Sequence, residues 1–235
     1  MIDFHAHFLP GIDDGADTVE TSCAMLQDAY GQGVASILAT PHFYAFETNV
    51  ADFLKSRSEA YDQLQKHLNE KNVTDIPAIY PGAEVLLCPQ LMQIDDLTPL
   101  CINDTNRLLL EMPFMFWNDW VFRAVTQIIE NHELVPVIAH LDRYLDSNKQ
   151  NISRLLDLDV RIQINADSLC YFGMRRKLKP LLNSGRIHAV GSDAHNMQER
   201  RSHIGKAAHI LQRKQPEIWA FIQRTSGELA GISSL

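Results

Sequence analysis

Short apolar runs alternate with amphipathic stretches along the whole chain. The runs at 2–4, 35–39, 79–83, 108–110, 135–139 and 188–191 are nearly continuous, as strands buried on both faces are. Between them, residues 18–32 place Val19, Cys23, Leu26, Ala29 and Tyr30 at helical spacing, with Gly31 and Gly33 at the end. Residues 49–71 do the same with Phe53, Leu54, Tyr61, Leu64 and Leu68. Helices are predicted next over 119–131, 149–158, 174–184 and 200–213, and a last one over 217–229 is entered through Pro216. Strand then helix, repeated about seven times, predicts βα units and a largely parallel α/β barrel. The stretch 88–107, with Pro89, Pro99 and Asn103-Asp104, reads as a long loop with one short helix. No repeat or linker divides the chain, so one domain is expected over residues 1–235.

The polar residues that close these runs change the picture. His5 and His7 follow the first run and His42 the second. Glu84, Glu111 and His140 follow the next three, and Asp193 and His195 the last. In a barrel of this kind the C-terminal strand ends share one mouth. Residues i and i+2 of a strand point the same way, so His5-Ala6-His7 can present both imidazoles to one ion, and Asp193-Ala194-His195 repeats the spacing. Each histidine alone is a weak signal; their shared position is a strong one. His67, His132, His203 and His209 fall on predicted helices or their ends, and His188 at a strand start; these read as structural or surface residues. Imidazoles mixed with carboxylates suit Mn²⁺, Fe or Zn²⁺ better than Mg²⁺. So many ligands exceed the need of one ion and predict a site of two or three divalent ions.

Composition narrows the classes. A chain of 235 residues, 46% hydrophobic, can bury a full core. No apolar run approaches the roughly 18 residues of a membrane span. The first residues lack a signal peptide's basic start and apolar region, so a cytoplasmic protein whose native start belongs to the fold is expected. The net charge of −8, with no block of Lys or Arg, argues against nucleic acid as a ligand. The four cysteines, Cys23, Cys88, Cys101 and Cys170, show no paired spacing and are expected to be reduced.

The opening His5-Ala6-His7-Phe8-Leu9-Pro10-Gly11-Ile12-Asp13-Asp14-Gly15 resembles the PHP (polymerase and histidinol phosphatase) superfamily. More narrowly, it resembles the bacterial manganese-dependent tyrosine-protein phosphatases of capsule and exopolysaccharide operons. Thr40-Pro41-His42, Pro81-Gly82-Ala83-Glu84, Leu110-Glu111, His140 with Arg143-Tyr144, and Gly191-Ser192-Asp193-Ala194-His195-Asn196 follow in the family's order. The resemblance implies a distorted seven-stranded (β/α)7 TIM-like barrel, the PHP fold, with a trinuclear site. His5, His7, Glu84 and Asp193 would hold one ion. Glu84 would bridge to a second, completed by Glu111 and His140, and Asp14, His42 and His195 would hold the third, with Asp13 the alternative to Asp14. The metal would most naturally be Mn²⁺, with Fe or Zn²⁺ as alternatives. The family's His-Pro-Glu-Arg-Tyr is His140-Leu141-Asp142-Arg143-Tyr144 here, and its Pro-Pro after the second arginine is Arg201-Ser202. Arg143 is carried over as a phosphate clamp, and Arg200 as another, with Arg201 the alternative.

The implied reaction is phosphotyrosine hydrolysis by a metal-bound hydroxide, with Asp193 or His195 polarising the water and Arg143 and Arg200 offsetting phosphate charge. The implied partner is a phosphotyrosine protein, the tail of a membrane tyrosine kinase that controls capsular polysaccharide synthesis. Phe43, Tyr44, Phe46, Phe114, Phe116 and Trp117 follow the ligands and are candidates for an aromatic slot. Trp117, Trp120 and Phe122 read as barrel cover, with a contact in a homo-oligomer as the alternative. Three rivals stand beside this reading. A thiol phosphatase would use Cys101 with Arg107 or Cys170 with Arg176, but residues 102–106 contain no glycine to cradle phosphate. A histidinol-phosphate or other small phosphoester phosphatase would keep the metals. An inactive metal-stabilised binding module would keep the metals without turnover.

Overall fold

The structure, a computed structural model, describes residues 1–232. Nine strands run through it: β1 (Ile2–Ala6), β2 (Ser36–Ala39), β3 (His42–Phe43), β4 (Ala78–Pro81), β5 (Glu84–Leu86), β6 (Arg107–Glu111), β7 (Val135–Ile138), β8 (Arg161–Asn165) and β9 (Ala189–Gly191). Every strand pairing is parallel. One sheet has the order β1-β2-β4 and the other β3-β5-β6-β7-β8-β9. Thr40-Pro41 separates β2 from β3, and Gly82-Ala83 separates β4 from β5. Proline has no N–H for a ladder, and a break follows. At the far edge the exit of β9 lies against β1: the Asp193 N–H donates to the His5 carbonyl at 2.8 Å and the His7 N–H to the Ala194 carbonyl at 2.9 Å.

Eight helices cover the strands: α1 (Val19–Gly31), α2 (Val50–Glu70), α3 (Asp119–Asn131), α4 (Lys149–Leu156), α5 (Ala166–Cys170), α6 (Phe172–Asn183), α7 (Ile204–Lys214) and α8 (Pro216–Ala230). Side chains set the starts of the first three. Thr18 accepts from the Thr21 N–H, Asn49 from Asp52 and Asn118 from Trp120, which satisfies donors a helix start leaves unpaired. Most apolar runs of the sequence are buried, among them all of β1 and Leu108, Leu109 and Leu110 of β6, but β4 is not: Ala78 and Pro81 are exposed and Ile79 and Tyr80 half-buried. Trp117 and Phe122 are buried too, so they cover the strands.

Three elements differ from expectation. β8 was absent from the apolar runs because Gln163 and Asn165 alternate with Ile162 and Ile164, and all four are buried. α5 follows it directly. α7 starts at Ile204, not residue 200, because Asn196 caps a turn instead: its Oδ1 accepts from the N–H groups of Gln198 and Arg200, at 2.9 and 3.0 Å. The stretch 88–107 forms two single 3-10 turns, Leu91–Gln93 and Thr98–Leu100. It buries Leu91, Leu97, Leu100 and Ile102, so much of it packs as core.

Candidate metal centre

His5 lies in β1 and His7 just past its end, and both are buried together with Asp3. His5 Nε2 and His7 Nε2 lie 2.9 Å apart, 3.1 and 3.2 Å from Glu84 Oε2, and 3.9 and 3.7 Å from Asp193 Oδ1. Glu84 starts β5 and is the hub. His42 Nδ1 is 3.0 Å from its Oε2, and His140 Nε2 is 2.7 Å from its Oε1. Glu111, ending β6, brings Oε1 to 3.5 Å from His140 Nε2. Asp14 Oδ1 is 3.3 Å from His42 Nε2 and 3.2 Å from His195 Nε2. All nine candidate ligands therefore meet in one cluster, brought there by strand ends, by the strand restarts at His42 and Glu84, and by the loop that carries Asp14.

Ligand atoms within 4.8 Å of one another form three overlapping groups: His5, His7 and Glu84; His42, Glu84 and Glu111; and His7, Asp14, His42 and His195. His7 and His42 each join one group more than the resemblance assigns them.

Contacts distinguish the members of the two pairs left open by the sequence. Asp13 turns inward behind the ligands, where its Oδ2 faces His7 Nδ1 at 2.8 Å and accepts from the His42 N–H at 3.1 Å. Asp14 faces the imidazole Nε2 atoms. Arg200 reaches Asp14 Oδ2 at 3.0 Å and Asp193 Oδ1 at 3.4 Å, whereas Arg201 pairs with Asp28. Arg143 donates to Asp193 Oδ2. Both Asp193 (φ +53°) and His140 (φ +32°) occupy the left-handed region, unusual for residues with a side chain and common at functional sites.

Two residues of β8 complete the surroundings. Gln163 Oε1 accepts from the His140 N–H at 2.6 Å and faces His5 Nδ1 at 3.4 Å. Asn165 Nδ2 donates to Asp193 Oδ2 at 2.8 Å. His195 Nδ1 faces the carbonyl of Asp193 at 2.9 Å. An imidazole whose Nδ1–H is held by an oxygen turns a bare Nε2 inward, as a ligand must. Gln163 and Asn165 escaped the sequence reading; their signal was a polar alternation at inward positions of a short strand.

Electrostatics match a donor set built for cations. Burial works against charging His7, but hydrogen bonds to Asp13 and Glu84 outweigh it and raise its pKa to about 10. His140 is raised to about 9 against burial, by Glu111 and Glu84. His195 falls to about 3 through burial and the neighbouring His7. Glu84 stays well below the carboxylate range despite burial, held by His5, His140 and His42. Glu84 Oε2 and His195 Nε2 are buried and make no hydrogen bond of normal geometry among the described residues. Orphaned lone pairs on inward imidazoles and carboxylates fit divalent cations.

Neither thiol fits the rival chemistry. Cys101 is 3% exposed and burial pushes its thiol up to about 12; burial raises Cys170 as well. A nucleophilic cysteine needs the opposite shift. Of the aromatic candidates, Phe43 and Trp117 are core, Tyr44 is half-buried, and Phe46, Phe114 and Phe116 are exposed.

Residues 1–221 match the family model described as capsular polysaccharide synthesis, CpsB/CapC. The tyrosine-protein phosphatase YwqE of Bacillus subtilis (strain 168) is 35% identical over 228 residues, covering 91% of this chain and 85% of that one. The tyrosine-protein phosphatase CpsB of Streptococcus pneumoniae is 29% identical over 231 residues, covering 91% and 90%. A crystal structure from the work on YwqE and CpsB, described as unique metal-dependent tyrosine phosphatases, superposes with a TM-score of 0.84 at 27% identity, over 100% of this chain and 96% of that one. The phosphotriesterase homology protein of Escherichia coli shares the fold alone, at TM-score 0.56, 14% identity and 98% and 97% coverage. With a family model spanning nearly its whole length, the chain belongs to the CpsB/CapC family of capsular polysaccharide synthesis.

Proposed function

We propose that this chain is a metal-dependent protein-tyrosine phosphatase acting in capsular or exopolysaccharide synthesis. The observation that carries the reading is the buried cluster of His5, His7, His42, His140 and His195 around Glu84, with Arg143 and Arg200 at its edge. His5, His7, Glu84 and Asp193 would hold one ion, Glu84 with Glu111 and His140 a second, and Asp14, His42 and His195 a third, with Mn²⁺ the metal that suits the mixed donors. Bound there, divalent ions supply Lewis-acid stabilisation of phosphate charge and a water of lowered pKa.

The chain's own groups do the rest. Asp193 draws both guanidinium groups to the site's edge, where Arg143 and Arg200 bind the phosphate oxygens. Asn165 and Gln163 hold Asp193 and His5 in orientation. Burial and the neighbouring His7 keep His195 neutral, the form in which its Nε2 can accept a cation. Water adds to phosphorus, the bond to the tyrosyl oxygen breaks, and inorganic phosphate and tyrosine leave. A phenolate departs readily, so the leaving group needs no strong acid.

The same reading covers organisation and place. The described residues form one domain around a seven-stranded barrel, and the last three of the expected 1–235 lie outside the described residues. Counting β2 with β3 and β4 with β5 as interrupted single strands supports that number, as does the bridge from Ala6 to Ala194. Its substrate is a phosphotyrosine protein, the tail of a membrane tyrosine kinase, met from the cytoplasmic side. No helix among the described residues is long and apolar enough to cross a membrane.

The test is hydrolysis of a phosphotyrosine peptide by metal-stripped protein, with Mn²⁺ restored and a thiol alkylator in parallel. Mn²⁺ should restore turnover, alkylation should leave it intact, and Glu84→Gln should lower kcat/KM by at least about 100-fold. Turnover of histidinol phosphate but not the peptide would move the substrate. Loss on alkylation would overturn the site.

A further inference from the structure

Two aromatic stacks leave the candidate ligands on opposite sides of Glu84. Tyr44 stacks on His42 with centroids 5.2 Å apart and planes 19° apart, and Phe46 continues the stack at 5.6 Å and 11°. Phe114 stacks on His140 at 6.1 Å and 20°, and leans on Tyr144 at 5.3 Å. Beyond Phe114 the chain stays apolar and in water: Phe114, Met115 and Phe116 are 66%, 59% and 63% exposed.

The backbone that presents them is tied down on both sides. Trp117 is buried, and its N–H donates to Asn148 Oδ1 at 2.8 Å and its indole N–H to the Pro113 carbonyl at 3.1 Å. Asn148, itself buried, donates Nδ2 to the Met115 carbonyl at 3.1 Å. Asn151 holds the Trp117 carbonyl at 2.9 Å, and the Tyr144 hydroxyl holds that of Met112 at 2.7 Å. Buried polar side chains thus hold three consecutive large apolar ones in solvent, a placement that core packing cannot explain.

We propose that Phe114 and Tyr44 flank the phenyl ring of the substrate, and that Met115 and Phe116 bind large apolar side chains beside the phosphotyrosine. The inference rests on the phosphatase reading and adds a sequence preference to it. Continuity argues for this occupant: Phe114 stacks on His140 of the candidate site, and Met115 and Phe116 carry the same apolar surface outward from it, so a peptide whose phosphotyrosine sits at the cluster can lie along the tip. The tip lacks what an anionic membrane would require, because residues 112–119 include no Lys or Arg and end in Asp119.

The experiment compares two phosphotyrosine peptides, one with Leu on both sides of the phosphotyrosine and one with Ser, in the Mn²⁺-loaded protein. The wild type should favour the Leu peptide by about fivefold or more in kcat/KM, through KM. The double substitution Met115→Ser/Phe116→Ser should bring that ratio to about one, while Met115→Leu/Phe116→Leu should keep it. A wild-type ratio near one, or a ratio that survives the serine substitutions, would overturn the inference while leaving the phosphatase reading intact. A tip that serves instead as a contact between copies would show the serine variant sedimenting as a smaller species with its peptide ratio unchanged. Absence of turnover of either peptide and of p-nitrophenyl phosphate by the wild type would overturn the phosphatase reading, and this inference with it.

Discussion

Gln163 shows how much the site depends on residues that touch no substrate. Its Oε1 serves His5 and the backbone of His140 at once, and its Nε2 is spent on the Ile164 carbonyl and Asn165 Oδ1. The amide is therefore locked from both ends, and His5 is held with Nε2 toward Glu84. Gln163→Leu keeps the volume and removes the acceptor. We expect Mn²⁺ affinity to fall about 10- to 100-fold, the usual cost of losing a partner that orients a metal-binding histidine. Titration of free Mn²⁺ by its electron spin resonance measures this directly; wild-type affinity in a folded variant would show that Gln163 does not orient His5. Asp13 plays the same part for His7, and its carboxyl is held at about 2 by His7 despite the burial that opposes it.

Elements bring these residues together because β1 and β9 approach closely. A Cβ added at Gly191 would lie 2.4 Å from His5 Cβ and 2.8 Å from its backbone N, distances that no rotamer change relieves. Gly191→Ala should therefore push the two strands apart. The expected cost is about 1–3 kcal/mol, read as a lower urea midpoint. The same variant should bind Mn²⁺ more weakly, since His5 and Asp193 sit on the separated strands. An unchanged midpoint would mean that β9 yields without strain. The interruptions at Thr40-Pro41 and Gly82-Ala83 act in the opposite sense: they restart strands so that His42 and Glu84 open β3 and β5, paired side by side.

At the scale of the molecule, the net charge of −8 is partly local. Asp14, Glu84, Glu111 and Asp193 converge on one mouth, where cations relieve their mutual repulsion. Ion binding is then coupled to folding, because the unfolded chain scatters the ligands among seven segments of sequence. Mn²⁺ at about a hundredfold over its dissociation constant should stabilise the fold by about 2.7 kcal/mol for each independent site. Calorimetry should show the melting temperature rising with Mn²⁺ and falling again with chelator, and Glu84→Gln should lose most of that rise. A melting temperature indifferent to Mn²⁺ would remove the metal site from the account.

The candidate ligands were legible in the sequence because each is a polar residue that closes a short apolar run, which sets it apart from the histidines on helices. That reasoning reached His5, His7, His42, Glu84, Glu111, His140, Asp193 and His195, along with most helices. It did not reach β8, whose inward Gln163 and Asn165 replaced the apolar residues by which strands were recognised. Nor did it separate neighbours. Asp13 and Asp14 are adjacent but meet different histidine atoms, and Arg200 and Arg201 meet different carboxylates, because turns and not periodicity aim their side chains. The aromatics divided similarly: Trp117 became the anchor and Phe114 the exposed wall through the hydrogen bonds of Asn148, thirty-odd residues downstream. Residue type and period set which chemistry the chain carries, and long-range contacts, which no local pattern encodes, decided how each side chain serves it.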